Sequence, residues 1–272
     1  MRETVAGIGR RMTATMVIIL VTTRLYRPAN AILCWLQIDQ IACWKSLSKR
    51  RLIFYSQFVQ PGSLCFDIGA NMGNRTEIFT KLGATVVAVE PQANCVAKLN
   101  KCYAKSKQVT IIQKVVGARE GEAVLREFAE DNGSSSSCSE EWISAIQSRE
   151  PTSAGHLWNK GIGVPMTTLD SLIAQFGIPC FCKIDVEGFE YEVIKGLSQP
   201  IRALSLEFTP DYLSPAVDSI HRLVGLGLTR FNYSIGESME WALPKWVSGD
   251  EICNVLENLS DKKSYGDVYA TL

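Results

Sequence analysis

Apolar residues recur along this chain in two rhythms, and the switch between them predicts its elements. From Ala29 to Phe58 the apolar positions Ile32, Trp35, Leu36, Ile41, Trp44 and Leu47 recur near a period of 3.6, which predicts helix. Pro61-Gly62 interrupts that pattern. Beyond it, short apolar runs alternate with amphipathic stretches, the pattern of a parallel sheet covered by helices. The runs are Ser63–Ile68, Ala84–Val89, Val109–Val116, Cys180–Ile184, Ala203–Phe208, Thr229–Ser234 and Val268–Leu272. Most are continuously apolar, as strands buried on both faces are. Helices are expected over Arg75–Leu82, Ala93–Tyr103, Leu169–Phe176, Phe189–Lys195 and from an N-cap at Ser214 through Val224. The fold class is therefore α/β, one doubly wound domain of seven strands alternating with helices. Residues 1–54 form a helical N-terminal extension to a main domain over 55–272.

Two stretches depart from this scheme. Glu122–Phe128 is expected to pair with Ile162–Met166 as an extra hairpin. Between them Asp131-Asn132-Gly133 and Ser134–Ser137 make a polar, serine-rich segment, read either as an insertion loop or as a lid over a site.

Composition narrows the picture. Of 272 residues 46% are hydrophobic and 21% charged, enough apolar material for a substantial core. Lys plus Arg and Asp plus Glu are equal at 28, so nothing points to a nucleic-acid partner. The nine cysteines include no CxxC, which argues against structural zinc and for reduced thiols in a cytoplasmic protein. Cys180 and Cys182 are expected on one face of a strand as small hydrophobes. Near the start, Arg10-Arg11, the apolar Met16–Val21 and then Arg24 and Arg27 leave about a dozen uncharged residues, short of the ~20 that span a bilayer. A surface helix, an organellar targeting segment and a membrane-associated helix all remain open there.

The chemistry lies at two strand ends. The first run enters Asp67-Ile68-Gly69-Ala70-Asn71-Met72-Gly73-Asn74. Gly69 and Gly73 are expected to leave room for a nucleoside at the strand end. Glu90, some twenty residues on and followed by Pro91, is the acid that would hydrogen-bond a ribose diol. A dinucleotide site would read GxGxxG. Here an acid, Asp67, stands where it would repel a pyrophosphate and suit the cationic methionine portion of S-adenosylmethionine. A dinucleotide site, giving an oxidoreductase, and a purely structural turn stay as alternatives. The second place is Lys183-Ile184-Asp185-Val186-Glu187-Gly188, whose charges at alternate positions would project to one side at a strand's carboxyl end. Either they act, or Lys183 pairs with Asp185 or Glu187 to finish the strand. Glu207, ending the next run, would line the same edge or pair with Lys183. His156 would reach it only from a lid, and His221 reads as a surface or packing residue.

Together these residues resemble the FkbM family of methyltransferases. The resemblance rests on Phe66–Thr76, Val89-Glu90-Pro91, Thr168-Leu169-Asp170 and Lys183–Gly188, from about Tyr55 to the end, with Ser136–Trp142 as a weaker match. It implies a Rossmann-like class I methyltransferase fold, a seven-stranded, mostly parallel sheet with helices on both faces and the last strand antiparallel, with S-adenosylmethionine as cofactor and O-methylation of a small-molecule, sugar or lipid acceptor. Asp67, Gly69, Ala70, Asn71, Gly73, Asn74, Glu90 and Pro91 become the candidate cofactor residues. Asp185, Glu187 and Lys183 become the candidate catalytic ones, a carboxylate taking the acceptor's proton. Asp185 could instead contact the methionine portion. No metal is expected, because Asp185 and Glu187 lack an evident third ligand. A cofactor-binding chain without catalysis is the remaining alternative.

Overall fold

The computed structural model describes residues 40–128, 136–149, 158, 160–259 and 265–272. Residues 1–39, which hold the basic and apolar N-terminal stretch, and the segments with Asp131–Gly133 and His156 lie outside the described residues. Two units divide the chain at Ile53 and Phe54, and the second carries the sheet and the site.

In chain order the elements are α1 (Gln40–Tyr55), β1 (Leu64–Ile68), α2 (Asn74–Lys81), β2 (Thr85–Val89), α3 (Ala93–Tyr103), β3 (Val109–Ile112), β4 (Val115–Val116), β5 (Gly121–Glu127) and β6 (Ser136–Ser137). There follow α4 (Glu140–Arg149), β7 (Ile162–Thr167), α5 (Leu169–Phe176), β8 (Phe181–Ile184), α6 (Glu190–Lys195), β9 (Ala203–Phe208), α7 (Ser214–Gly225), β10 (Arg230–Ile235), α8 (Gly249–Glu257) and β11 (Gly266–Thr271).

The main sheet has seven strands in the order β10-β11-β9-β8-β1-β2-β3. All pairs are parallel except those of β11, which runs antiparallel to both β9 and β10. The chain builds outward from β1 through β2 to β3, then returns to lay β8 on the other side of β1. That reversal makes the crevice between the carboxyl ends of β1 and β8 the place where a sheet of this kind receives ligands. One sheet face is apolar: Phe66, Ile68, Cys182, Ile184, Leu204 and Leu206 are each at most 1% exposed and pack with α5 to α8. Burying each large side chain of this set stabilises the fold by about 1.5–3 kcal/mol. The other face carries an aromatic group in which Tyr55, Phe79, Phe181 and Tyr269 meet ring to ring.

Three expectations change. The run Val109–Val116 is two strands, because the chain leaves the main sheet at the polar Gln113-Lys114 and β4 joins a second, four-stranded sheet, β4-β7-β5-β6. The hairpin expected within that sheet is present as β5 against β7. In α7, Leu213 occupies the cap position and Ser214 the first turn beside Pro215, which is already preset for helix there. Cys180 precedes β8 and turns away from Cys182, its sulfur lying 3.8 Å from that of Cys65. Among the described residues α4 and α8 are helices not expected above. A capping box of Ser248 and Glu251 starts α8 and was written in the sequence as S-x-x-E.

A candidate cofactor loop and acidic turn at the switch point

The first strand delivers Asp67, 1% exposed, whose Oδ2 accepts a 2.5 Å hydrogen bond from Thr76 on the first turn of α2. Burial pushes its carboxyl up, against the pull of Thr76, Arg75 and Lys183. The chain then turns through Gly69 (φ +79°), Asn71 (φ +49°) and Gly73 (φ +87°) into α2, which begins at Asn74. The glycines also answer a steric need within the fold itself. A Cβ on Gly69 would stand 1.8 Å from the Asp185 carbonyl oxygen, and one on Gly73 2.7 Å from Leu99 Cδ2. They let β1 approach β8 and α3, a tertiary requirement.

At the end of β2, Glu90 is 3% exposed and closes the loop. Its Oε2 accepts from the Asn71 N–H at 2.7 Å and its Oε1 from the Gln92 N–H at 2.8 Å. Burial raises its pKa to about 7, those two N–H groups opposing, with Asp67 and Asp185 adding to the rise. Beside it Gln92 is buried, and its Nε2 has no hydrogen-bond partner among the described residues. An unsatisfied buried donor next to a carboxylate with spare acceptor capacity fits a nucleoside, whose ring nitrogens accept and whose diol donates. Ala70, in the loop itself, is buried, and Pro91 follows Glu90 directly.

On the other side of the crevice the expected row of three charges is rearranged. Lys183 does not face outward: it is 1% exposed, and its ammonium lies 2.8 Å from Asp267 Oδ1 and 3.2 Å from Asp185 Oδ2. Desolvation is outweighed by these carboxylates, which hold its pKa well up. It can orient Asp185, but cannot hold an acceptor directly from that depth. Asp267 escaped the sequence reading because it sits just before the run Val268–Leu272. Its signal was a lone acid opening an apolar strand. From Asp267 a polar line continues through Tyr269 Oη (3.4 Å) and Tyr55 Oη to Arg75, whose NH2 group donates to both Glu237 oxygens at 2.7 and 2.8 Å.

Past β8 the backbone turns through Glu187 (φ +52°) and Gly188 (φ +91°). The Ser136–Trp142 segment shapes this turn. Ser137 Oγ donates to the Glu187 carbonyl at 2.6 Å, and a Cβ on Gly188 would meet Trp142 at 2.3 Å. From below, Glu190 Oε1 accepts the Val186 and Gly188 N–H groups, its own pKa raised to about 7 by burial. The result brings carboxylate oxygens of Asp185, Glu187 and Glu207 within 4.8 Å of one another. Glu207 thus supplies the third oxygen donor that spacing did not reveal, and such a trio could hold a cation or share a proton. Burial and then the charges of Asp185 and Glu187 hold the Glu207 carboxyl well above the usual range. A cavity of about 240 Å³ lies against the same turn, with Gly188, Tyr191 and Tyr212 in its wall. His221 is exposed on the surface of α7, its Nε2 3.8 Å from Cys253 Sγ.

No curated protein sequence matches the chain. Among solved structures it is similar in fold to a precorrin-6y C5,15-methyltransferase of Geobacter metallireducens, at 12% identity and a TM-score of 0.42, covering 82% of this chain and 88% of that one. An rRNA methylase of Streptococcus thermophilus aligns over 81% of this chain and 93% of its own, at 12% identity and a TM-score of 0.39. A fibrillarin of Aeropyrum pernix with bound S-adenosyl-L-methionine aligns over 79% and 68%, at 8% identity and a TM-score of 0.41. Among the described residues no helix is long and apolar enough to cross a membrane. The model of the methyltransferase FkbM domain matches residues 67–236, from the carboxylate at the end of β1 through the acidic turn to the end of β10. With that match across both halves of the crevice, the chain belongs to the FkbM family of S-adenosylmethionine-dependent methyltransferases.

Proposed function

We propose that the chain is an O-methyltransferase acting on a hydroxyl of a small molecule, sugar or lipid. The observation that carries this reading is the trio Asp185, Glu187 and Glu207 at the switch point, with Lys183 fixing one member from below. Bound S-adenosylmethionine supplies an electrophilic methyl group on a sulfonium. Glu90 and Gln92 are suited to the nucleoside, with Asn71, Gly69 and Gly73 shaping the loop around it. An alcohol must lose its proton as it accepts a methyl, so a carboxylate has to stand ready to receive it. Asp185 is our candidate for that base, since Lys183 restrains its direction without covering it. Glu187 is the alternative base. Glu207, whose carboxyl pKa is pushed well up by burial and by the charges of Asp185 and Glu187, is suited to share a proton with the acceptor's oxygen and orient it. The acidic character of this trio disfavours a phosphorylated or polyanionic acceptor.

The test is transfer of label from [methyl-³H]S-adenosylmethionine into fractions of a metabolite extract. Base-stable product in the wild type, lost in Asp185→Asn with S-adenosylhomocysteine binding retained, is the expected result. Full transfer by both Asp185→Asn and Glu187→Gln would remove these residues from the chemistry. Binding without transfer across a broad acceptor screen would favour a non-catalytic role.

A further inference from the structure

At the amino ends of the two central strands, away from the crevice, Cys65 of β1 and Cys180, one residue ahead of β8, face each other. Cys65 Sγ and Cys180 Sγ are 3.8 Å apart, both free. Cys65 is fully buried, whereas Cys180 is half-buried just ahead of β8. The pair is asymmetric in acidity as well as in access. The hydrogen bond from the Cys65 thiol pulls the pKa of Cys180 down to about 6, helped by Ser63 and Arg202 against the opposing effect of burial. The same hydrogen bond, with burial, pushes Cys65 strongly up. A thiolate is the attacking form, and the accessible partner is the one that ionises. Among the other described thiols, Cys95, Cys182 and Cys253 are buried, and burial pushes half-buried Cys138 up to about 12. Cys102 is exposed.

We propose that Cys180 and Cys65 form a thiol-modification site whose co-substrate is a small-molecule disulfide of the glutathione type. The Cys180 thiolate attacks one sulfur of that disulfide. Its S–S bond breaks, and one small thiolate leaves and takes a proton from water. Cys180 now carries a mixed disulfide and no longer accepts the hydrogen bond that held the Cys65 proton. Cys65 Sγ attacks Cys180 Sγ, the mixed S–S bond breaks, and the departing small thiolate takes up the Cys65 proton and leaves as the second small thiol. Two protein thiols are oxidised and one small disulfide is reduced to two thiols. Closing a bond of about 2.04 Å asks the sulfurs to approach by less than 2 Å, within reach of side-chain rotation. The product staples β1 to β8, the two strands whose opposite ends bear Asp67 and Asp185. Nothing in this proposal depends on which acceptor is methylated.

The experiment uses the full-length reduced chain exposed to oxidised glutathione, then non-reducing digestion and mass spectrometry over time. A glutathione adduct on Cys180 should appear first and give way to a Cys65–Cys180 cross-linked peptide. Cys65→Ala should stop at the adduct, and Cys180→Ser should show neither species. The wild-type time course is readable even if the buried Cys65 substitution fails to fold. Glutathione accumulating on Cys102 with Cys180 unmodified, or an adduct on Cys180 that never yields the cross-link, would overturn the proposal.

Discussion

The two sides of the crevice solve the problem of buried charge in opposite ways. On the β1–β2 side every carboxylate is answered: Asp67 by Thr76, Glu90 by two backbone N–H groups. On the β8–β9 side one ammonium serves two acids, and Asp185, Glu187 and Glu207 are left crowded together. Carboxylates fixed by hydrogen bonds hold their shape before any ligand arrives. A crowded set of like charges is less stable than it needs to be, and such sites are retained where the chemistry requires them. In the proposed reaction, the half that would hold the cofactor is thus preorganised by hydrogen bonds, and the half that would face the acceptor holds groups ready to exchange protons.

Breaking the single cation should have the largest effect. Lys183→Met leaves Asp267 and Asp185 buried or half-buried without a counter-ion and should destabilise the fold by about 4 kcal/mol in urea titrations. Adding Asp267→Asn to that variant should recover a good part of the loss. Gly69→Ala comes next, because its methyl would collide with the Asp185 carbonyl from a left-handed backbone. A loss of about 3 kcal/mol and failure to bind S-adenosylhomocysteine are expected, since this one contact joins the two sides.

Smaller effects should separate the two halves. Glu90→Gln sets an amide N–H₂ against one of the two backbone donors and should weaken S-adenosylhomocysteine binding about thirtyfold by calorimetry, or ~2 kcal/mol. The raised pKa of Glu90 gives this region a pH signature. A carboxyl raised from 4.5 to about 7 contributes stability that is fully present below pH 4.5 and is lost as pH rises through 7. Melting curves of the ligand-free chain should therefore carry a Glu90 component that falls from pH 4.5 to 7 and is absent in Glu90→Gln. S-adenosylhomocysteine affinity should rise over the upper part of the same window, as the carboxylate form gains acceptor capacity for the diol. The smallest effect has the opposite sign. Glu207→Gln should stabilise the chain by about 1 kcal/mol by relieving Asp185 and Glu187, while lowering methyl transfer. If it destabilised the fold instead, the contrast between the two sides would be wrong.

Much of the architecture was legible in the chain. Continuous apolar runs between amphipathic stretches announced a buried parallel sheet, and the β5–β7 hairpin showed in its alternation. The splitting of Val109–Val116 was not legible, since periodicity cannot say which sheet a strand joins. The roles of Lys183 and Asp267 were hidden for a related reason. They lie 84 positions apart, and only the insertion of β11 between β9 and β10 brings Asp267 near β8.

Local sequence thus decided which residue types stand at the strand ends, because a sharp turn needs glycine, a buried strand needs apolar side chains, and both are properties of a few neighbours. The pairing of those ends was decided by the fold. Gly69 is required by the backbone of Asp185, Lys183 is neutralised from the last strand, and Glu207 completes a trio with two residues of another strand's turn. Such contacts depend on strand order, and strand order follows from how the whole apolar surface is buried.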